Sequence, residues 1–386
     1  MEMHLFIIWK NGLYKKNEII QDINDKLEII SIVEIEWSKD LFSSNLTRFY
    51  GENLPKNSGK EKCCGIGAFY CIIVKDHDPV YGLRETTKGL KSVNTNIFDL
   101  KKLYRSWTGS CGLIHATDNT YESNLQLALL FGKNKDIYME KKTDIVSYKN
   151  DLVGAHGWKN FDDLFFILNL TTNYVILRNF YDLDKQLQSD HPDVDVLTDN
   201  RQLMIDVMNA RKTSNDWYRV QHEVKIAGKN INFDIRYVGD NYYDSTWEYN
   251  ILKNKIKFEN FYIPDSENLF YSLLYHALIH KKNIAIDYYE TLIRLSNDIG
   301  SKLDYKDLVD LNLIGELNNY MEIKEYSFVE PIDLTVFFNC KILSNKIVVR
   351  LSEQRRILNK KIEIRLFLRK IAMRILGKIK NVTHLL

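Results

Sequence analysis

Short apolar runs in the first third of the chain separate into strand-like and helix-like segments. The predicted strands are HLFIIW (4–9), IISIVEIEW (29–37), FYCIIVK (69–75) and GLIHA (112–116), and the predicted helices are NEIIQDINDKL (17–27) and ESNLQLALLFG (122–132). Segment 51–62 is polar and rich in turn formers, so it is predicted to be a loop. This order of elements predicts a compact α+β domain over residues 1–145.

A second pattern follows a polar stretch, 141–160, that we predict to be a linker. The predicted elements are a helix (161–169), two strands (174–179 and 193–197), a helix (201–211), a hairpin with a glycine turn (223–238) and further helices. They predict a mixed-sheet domain over residues 146–300. Residues 301–386 are predicted to be a helical region.

Composition limits the class of protein. Of the 386 residues, 45% are hydrophobic and 27% are charged, as in an ordinary globular protein. The five cysteines form no C-x-x-C pair, which disfavours a disulfide framework and a cysteine zinc site. The first residues lack the pattern of a signal peptide, and no apolar run is long enough to span a membrane. These features predict a cytoplasmic protein.

The charge is unevenly distributed along the chain. From Lys341 onwards, thirteen Lys and Arg face two Glu, a local +11, whereas the preceding 340 residues carry 40 basic and 49 acidic residues, a local −9. Segment 362–380 also places an apolar stripe on one side of a helix. This basic amphipathic tail predicts binding to an anionic membrane surface, or docking on the chain's own acidic body. It lacks the stacking aromatic residues that would favour nucleic acid.

The stretch HPDVDVLTDN (191–200) places two acidic residues inside an apolar strand. Side chains alternate across a strand, so Asp193 and Asp195 lie on the same face. Asp234 interrupts the strand INFDIRYV in the same way. Three carboxylates side by side repel one another unless a cation lies between them. The pattern therefore predicts a Mg²⁺ (or Mn²⁺) site, and Asp→Asn changes are expected to leave stability unchanged or raised without metal.

The order helix, strand, D-x-D strand and later Asp strand over about residues 160–250 resembles the nucleotidyltransferase fold of the polymerase-beta type. The resemblance implies that Asp193 and Asp195 hold metal and that Asp234 holds metal and helps to deprotonate an attacking hydroxyl. Where that family has a glycine-rich phosphate turn, this chain has Leu177-Arg178-Asn179. Arg178 and Asn179 are the candidates for phosphate binding there.

The opening LFIIWKNGLYKKNEII and the stretch GLIHATDNTYES (112–123) resemble nucleoside diphosphate kinases. The resemblance implies a ferredoxin-like domain in which His115 takes up phosphate and Lys10 and Arg105 bind it. Gly112 and Gln126 replace an asparagine and a glutamate of that family. We expect His115 to face a cleft shared with Lys10 and Arg105. Nucleotide binding without turnover is the alternative.

Two further patterns have alternative interpretations. His276 and His280 stand four residues apart on a predicted helix, a spacing that suits zinc, but nothing nearby supports a zinc motif, so a packed core pair is preferred. The segment GDNYYDSTWEYNIL (239–252) is rich in aromatic residues, which suits either stacking on a base or sugar or covering a core.

Together these features predict a metal-dependent nucleotidyl- or phosphotransferase that acts on a nucleotide donor. Relatives of the central fold that build surface polysaccharides favour a glycan or polyol acceptor, which a tail on the inner membrane face would suit. The alternatives are a toxin-type nucleotidyltransferase that modifies protein or RNA, and a non-catalytic nucleotide-binding scaffold.

Overall fold

The computed structural model describes residues 1–86, 89–109, 112–133, 136–139, 141, 144–189, 192–284, 286–301, 310–339, 355–357, 360, 361, 364 and 368. This part of the chain is a mixed α/β protein with two five-stranded sheets and two two-stranded sheets. It forms two compact units. The first comprises 1–172, 202–210 and 224–230, and the second comprises 173–201, 211–223 and 231–386.

The elements up to residue 172 are β1 (Glu2–Ile8), a 3-10 helix (Lys10–Lys15), α1 (Lys16–Lys26), β2 (Glu28–Ile35), α2 (Phe42–Tyr50), α3 (Gly59–Cys64), β3 (Phe69–Asp76), β4 (Tyr81–Thr86), β5 (Gly89–Asn94), α4 (Thr95–Trp107), β6 (Ile114–Ala116), α5 (Thr120–Phe131), α6 (Asp136–Met139), β7 (Val146–Tyr148) and α7 (Phe161–Thr171).

The strand order in the first sheet is β6-β1-β3-β2-β7. Neighbouring strands are antiparallel except for β7, which runs parallel to β2. The linker predicted over 141–160 therefore contributes an edge strand. The central strands β1 and β3 are buried on both faces, which explains their unbroken apolar sequences. One face packs on α1 and α4 through a cluster that includes Phe6, Ile19, Ile72 and Tyr104.

The elements from residue 173 onwards are β8 (Tyr174–Ile176), α8 (Leu183–Gln186), β9 (Asp193–Thr198), α9 (Arg201–Met208), β10 (Arg211–Lys212), β11 (Gln221–Ile226), β12 (Lys229–Tyr237), α10 (Ser245–Lys253), β13 (Ile256–Phe258), β14 (Phe261–Ile263), α11 (Ser266–Ile279), α12 (Ile286–Asp298) and α13 (Asp310–Ile323).

The strand order in the second sheet is β10-β11-β12-β9-β8. The strand β9 is antiparallel to its neighbour β8 and parallel to its other neighbour, β12. The predicted hairpin is present as β11 and β12, and its turn holds Ala227 and Gly228 at positive φ (50° and 80°). The helix α11 is buried along nearly its whole length. The sheet thus presents β9 and β12 side by side at its centre.

The C-terminal prediction falls largely outside the described residues. Within the basic segment 362–380, the structure describes only Ile364 and Leu368. No helix within the described ranges has both the length and the apolar character needed to cross a membrane.

Candidate functional site

The three predicted aspartates converge on neighbouring strands of the second sheet. Asp193 and Asp195 lie two residues apart on β9 and therefore on one face. Parallel pairing places Asp234 of β12 directly opposite Asp195, and Asn232 opposite Asp193. Residues directly opposite in a sheet project to the same side, so the pleat brings all three carboxylates together.

The spacing of the carboxylates suits a divalent cation. One oxygen from each of Asp193, Asp195 and Asp234 lies within 4.8 Å of the other two. Magnesium binds oxygen at about 2.1 Å, so two ligands of one ion are at most about 4.2 Å apart. Side-chain rotation on metal binding would have to close the remaining difference of about 0.6 Å. The residues present therefore fit a Mg²⁺ or Mn²⁺ ion.

A buried arginine holds the middle carboxylate. Arg178 follows β8 and donates from Nη2 to Asp195 Oδ1 at 2.6 Å and to the Tyr242 hydroxyl at 3.0 Å. Asp195 is only 5% exposed. An ionised carboxylate at such a position needs a counter-charge, and Arg178 supplies it. The sequence predicted that Arg178 binds phosphate. Its Nη2 is already engaged within the protein. Contact between a substrate phosphate and the other nitrogens of the guanidinium stays a prediction.

A second arginine adjoins Asp234. Arg236 lies two residues along β12 and therefore on the same face, with Nη2 3.3 Å from Asp234 Oδ2. Its Nη1 lies 3.9 Å from Asp240 Oδ2 and 3.6 Å from Asp333 Oδ2. Arg236 is thus shared among three carboxylates and does not neutralise Asp234 alone.

The site carries more acidic than basic groups. Among the residues that the structure describes there, five carboxylates face three basic side chains: Asp193, Asp195, Asp234, Asp240 and Asp333, against Arg178, Arg236 and Lys281. The charge of Lys281 interacts with that of each of the three strand aspartates. With all five carboxylates ionised, the excess of negative charge would be neutralised by one divalent cation.

The carboxylates shift one another's protonation. Loss of hydration next to the protein surface, followed by the charges of Asp195 and Asp234, raises the pKa of Asp193 to about 7. The residue as a whole is nevertheless exposed. Burial also raises the pKa of Asp234, and Asp195 adds to the effect, while Arg236 and Arg178 oppose it. A proton or a metal ion can relieve the same repulsion, so the two are expected to compete.

The raised pKa of Asp193 predicts a pH-dependent stability. The folded carboxyl holds its proton up to a pH of about 7, whereas an unfolded Asp releases it near about 4. This contribution to stability is complete below the unfolded pKa and is lost as the pH rises through the folded pKa. Metal-free protein should therefore melt at a lower temperature at pH 8 than at pH 5.5 through this group. Comparing wild type with Asp193→Asn in melts from pH 5 to 8 isolates its part, and identical slopes in the two proteins would contradict the prediction.

The turn after β8 has the backbone that the missing glycines would have supplied. Asn179 has φ 58°, in the left-handed region. Asparagine tolerates this conformation better than most residues because its short side chain bonds locally. The chain thus makes a sharp turn next to Arg178 without a glycine, and Asn179 stays the candidate for phosphate at this turn.

The aromatic segment 239–252 and the histidine pair on α11 each have two interpretations, and the burial of the side chains distinguishes between them. Tyr242, Tyr243 and Trp247 are buried and cover the core, whereas Tyr249 is 59% exposed, so stacking on a base or sugar stays an interpretation for Tyr249 alone. His276 and His280 are both buried on α11, with ring centroids 5.7 Å apart, and the core-pair interpretation is confirmed.

The candidate histidine of the first unit is enclosed by packing. His115 on β6 is 6% exposed, and its ring lies 5.4 Å from that of Phe49 and 5.2 Å from that of Tyr50, centroid to centroid. Its Nε2 lies 2.8 Å from Gln126 Oε1. Burial, then the charges of Lys101 and other basic residues, holds the pKa of His115 well below its usual value. The expectation of an open cleft at this ring is wrong, because aromatic side chains and Gln126 enclose it.

Lys10 and Arg105 do not form the expected shared cleft with His115. Arg105 donates from Nε to the Ile114 carbonyl at 2.9 Å. Lys10 packs on Gly67, where an added Cβ would lie 2.6 Å from Lys10 Nζ. Gly67 has φ 137°, a backbone conformation that favours glycine. Phosphate binding by Lys10 or Arg105 apart from His115 stays a prediction.

Replacing His115 is therefore expected to affect stability. His115→Ala should lower the free energy of unfolding by about 2–4 kcal/mol, because it removes an enclosed ring and leaves Gln126 Oε1 without the imidazole partner. His115→Gln keeps a polar group of similar reach and should cost less. Urea denaturation of the three proteins measures both changes. A stability of His115→Ala equal to that of wild type would restore the interpretation as an exposed reactive histidine.

Sequence reasoning missed several residues around the aspartates. Arg236 was available from the sequence, since D-x-R on a strand puts both side chains on one face. Asp333 and Lys281 reach the site from distant segments, and no local pattern indicates them.

Comparison with known proteins identifies no relative: the chain matches no protein-family model, and no curated protein matches it in sequence.

Proposed function

We propose that this chain is a metal-dependent transferase that moves a nucleotidyl or substituted phosphoryl group from a nucleotide donor to a hydroxyl. The observation that carries the proposal is the convergence of Asp193, Asp195 and Asp234, with ligand oxygens within 4.8 Å of one another. Oxygen-only ligand sets suit Mg²⁺, which typically leaves positions open for substrate phosphates.

The topology around the aspartates supports a nucleotidyltransferase-like arrangement. The helix α7 is followed by β8, a turn with Asn179 at positive φ, the D-x-D strand β9 and then β12 with the third Asp. The pairing of β9 with β12 is what brings the carboxylates together. In the first unit, the order β6-β1-β3-β2 with antiparallel neighbours and with α1 and α4 on one face supports the ferredoxin-like proposal.

Each side chain has a proposed role. A bound Mg²⁺ would offset phosphate charge and orient the donor. Asp193 and Asp195 would hold the ion, with Arg178 fixing Asp195. Asp234 would also bind the ion and accept the proton of the attacking hydroxyl. Lys281 is exposed near the three carboxylates and would contact phosphate.

The acceptor is proposed to be a glycan or polyol, with protein and RNA as alternative acceptors. This choice rests on the basic amphipathic pattern of segment 362–380. It also rests on the analogy with relatives of the nucleotidyltransferase fold that build surface polysaccharides. Peripheral attachment to an anionic membrane surface is part of the same proposal.

A specific observation favours a second candidate, a non-catalytic nucleotide-binding scaffold. Arg178 contacts Asp195, and Arg236 contacts Asp234, so part of the negative charge is neutralised within the protein. Two arginines do not offset all the carboxylates, which is why we prefer the metal-dependent enzyme.

A thermal-shift screen tests the proposal. Nucleoside triphosphates, sugar nucleotides and CDP-polyols are each added with Mg²⁺, with Mn²⁺ and with EDTA. One donor class should raise the melting temperature only when metal is present, and Asp193→Asn should abolish that shift. A shift that is the same in EDTA would favour the scaffold, and the absence of any shift with either metal would contradict the transferase.

A further inference from the structure

A chain of buried polar contacts leads away from Asp195 into the core. Arg178 Nη2 contacts both Asp195 Oδ1 (2.6 Å) and the Tyr242 hydroxyl (3.0 Å). That hydroxyl lies 2.6 Å from His276 Nδ1, and His276 Nε2 lies 3.2 Å from the Tyr288 hydroxyl. The chain thus links a proposed metal ligand to the helices α11 and α12.

The chemistry of the groups fixes the direction of each bond. A guanidinium can only donate, and Nη2 has two hydrogens, so one goes to Asp195 and the other to Tyr242. Tyr242 accepts from Arg178, so its own proton is given to His276 Nδ1. That nitrogen must then be unprotonated, and Nε2 carries the hydrogen donated to Tyr288. The bonds are satisfied together only when His276 is neutral and protonated at Nε2.

The surroundings favour this neutral form. His276 is buried on α11, and burial, followed by the positive charge of Arg178, holds its pKa well below the usual value. A proton on Nδ1 would leave the Tyr242 hydroxyl facing two donors with no acceptor for its own hydrogen. A buried group without a partner costs stability, so the one tautomer is imposed by the contacts.

We propose that Tyr242 and His276 are positioning residues that fix Arg178 and, through it, the orientation of Asp195 towards the cation. This inference rests on the proposed metal site. Arg178 engages Oδ1 of Asp195, which leaves Oδ2 to ligate the ion. Without an acceptor at Tyr242, the guanidinium loses one of the two contacts that set its orientation, and Asp195 loses a fixed position. Partners of metal ligands typically change affinity by about 10–100-fold when they are removed.

Two matched substitutions at one position separate positioning from packing. The amide oxygen of His276→Asn reaches the place of Nδ1 and can still accept from Tyr242, whereas that of His276→Gln reaches the place of Nε2. We expect Mn²⁺ affinity within about threefold of wild type for His276→Asn, and a loss of about 10–100-fold for His276→Gln and for Tyr242→Phe. Equal affinities for the Asn and Gln variants would overturn the proposal. If either His276 variant fails to fold, Tyr242→Phe decides the matter, and wild-type affinity there would overturn it.

A second measurement needs no metal. Two-dimensional ¹⁵N–¹H correlation of the imidazole rings identifies the tautomer of each of the nine histidines, and His276→Asn assigns the signal. The Nε2-protonated tautomer of His276 in metal-free protein, with an Nδ1 signal that shifts in Tyr242→Phe, supports the contact chain. An Nδ1-protonated or cationic ring overturns it. If wild type binds no Mn²⁺ while this tautomer is present, the proposed function fails and the positioning role falls with it, while the contact chain itself stands.

Discussion

Asp195→Asn is expected to lower the free energy of unfolding by about 3 kcal/mol in metal-free buffer. The change removes the charge of the carboxylate that contacts the buried Arg178 guanidinium, and removing one partner of a buried ion pair is among the costliest substitutions. This prediction differs from the expectation from sequence that every Asp→Asn change at the site would be neutral or stabilising. Urea denaturation in EDTA measures the difference.

Asp193→Asn is the matched control for that experiment. Asp193 is exposed. Loss of hydration and the charges of Asp195 and Asp234 raise the pKa of its carboxyl group. Removing its charge relieves repulsion, so stability at pH 8 should stay the same or rise. Opposite signs for two aspartates two residues apart are the signature of the site. Equal destabilisation by both changes would mean that the charge of Asp193 stabilises the fold in the same way as the charge of Asp195.

Asp234→Asn is expected to abolish stabilisation by metal with little loss of intrinsic stability. A ligand that binds only the folded state at about 100 times its dissociation constant stabilises wild type by about 2.7 kcal/mol. Loss of a ligand should weaken binding by at least about 100-fold, more than the loss of a ligand's partner. The same Mn²⁺ concentration should then stabilise the variant by about 0.4 kcal/mol or less.

The reason for the small intrinsic effect lies with Arg236. That guanidinium also adjoins Asp240 and Asp333, so it keeps negative neighbours when Asp234 is neutralised. Thermal melts with and without Mn²⁺ measure both effects in one experiment. A variant that is stabilised by Mn²⁺ as strongly as wild type would exclude Asp234 as a ligand.

The aspartate site shows what a strand pattern can predict. Because side chains alternate, the sequence alone places Asp193 with Asp195, and the same interruption in a second apolar strand marks Asp234. The hairpin, the D-x-D strand and the first and third strands of the chain follow from the same local rules and are present as β11, β12, β9, β1 and β3.

What local patterns could not provide is the choice of partners. Arg178 pairs with Asp195 because β8 and β9 are neighbours in the sheet, and strand order depends on contacts distant in sequence. Asp333 comes within reach of Arg236 from 97 residues further along. His115 illustrates the same limit, since its motif suggested chemistry while the fold surrounds it with Phe49, Tyr50 and Gln126.

The most direct test is an equilibrium titration of wild-type protein with Mn²⁺, followed by electron paramagnetic resonance to count bound ions. The predicted result is one or two saturable sites in wild type and none in the double variant Asp193→Asn, Asp234→Asn, with affinity in wild type falling below pH 7 as Asp193 binds its proton. Wild-type protein that binds no Mn²⁺ saturably at pH 8, or a double variant that binds it unchanged, would contradict the assignment of these carboxylates to a metal site.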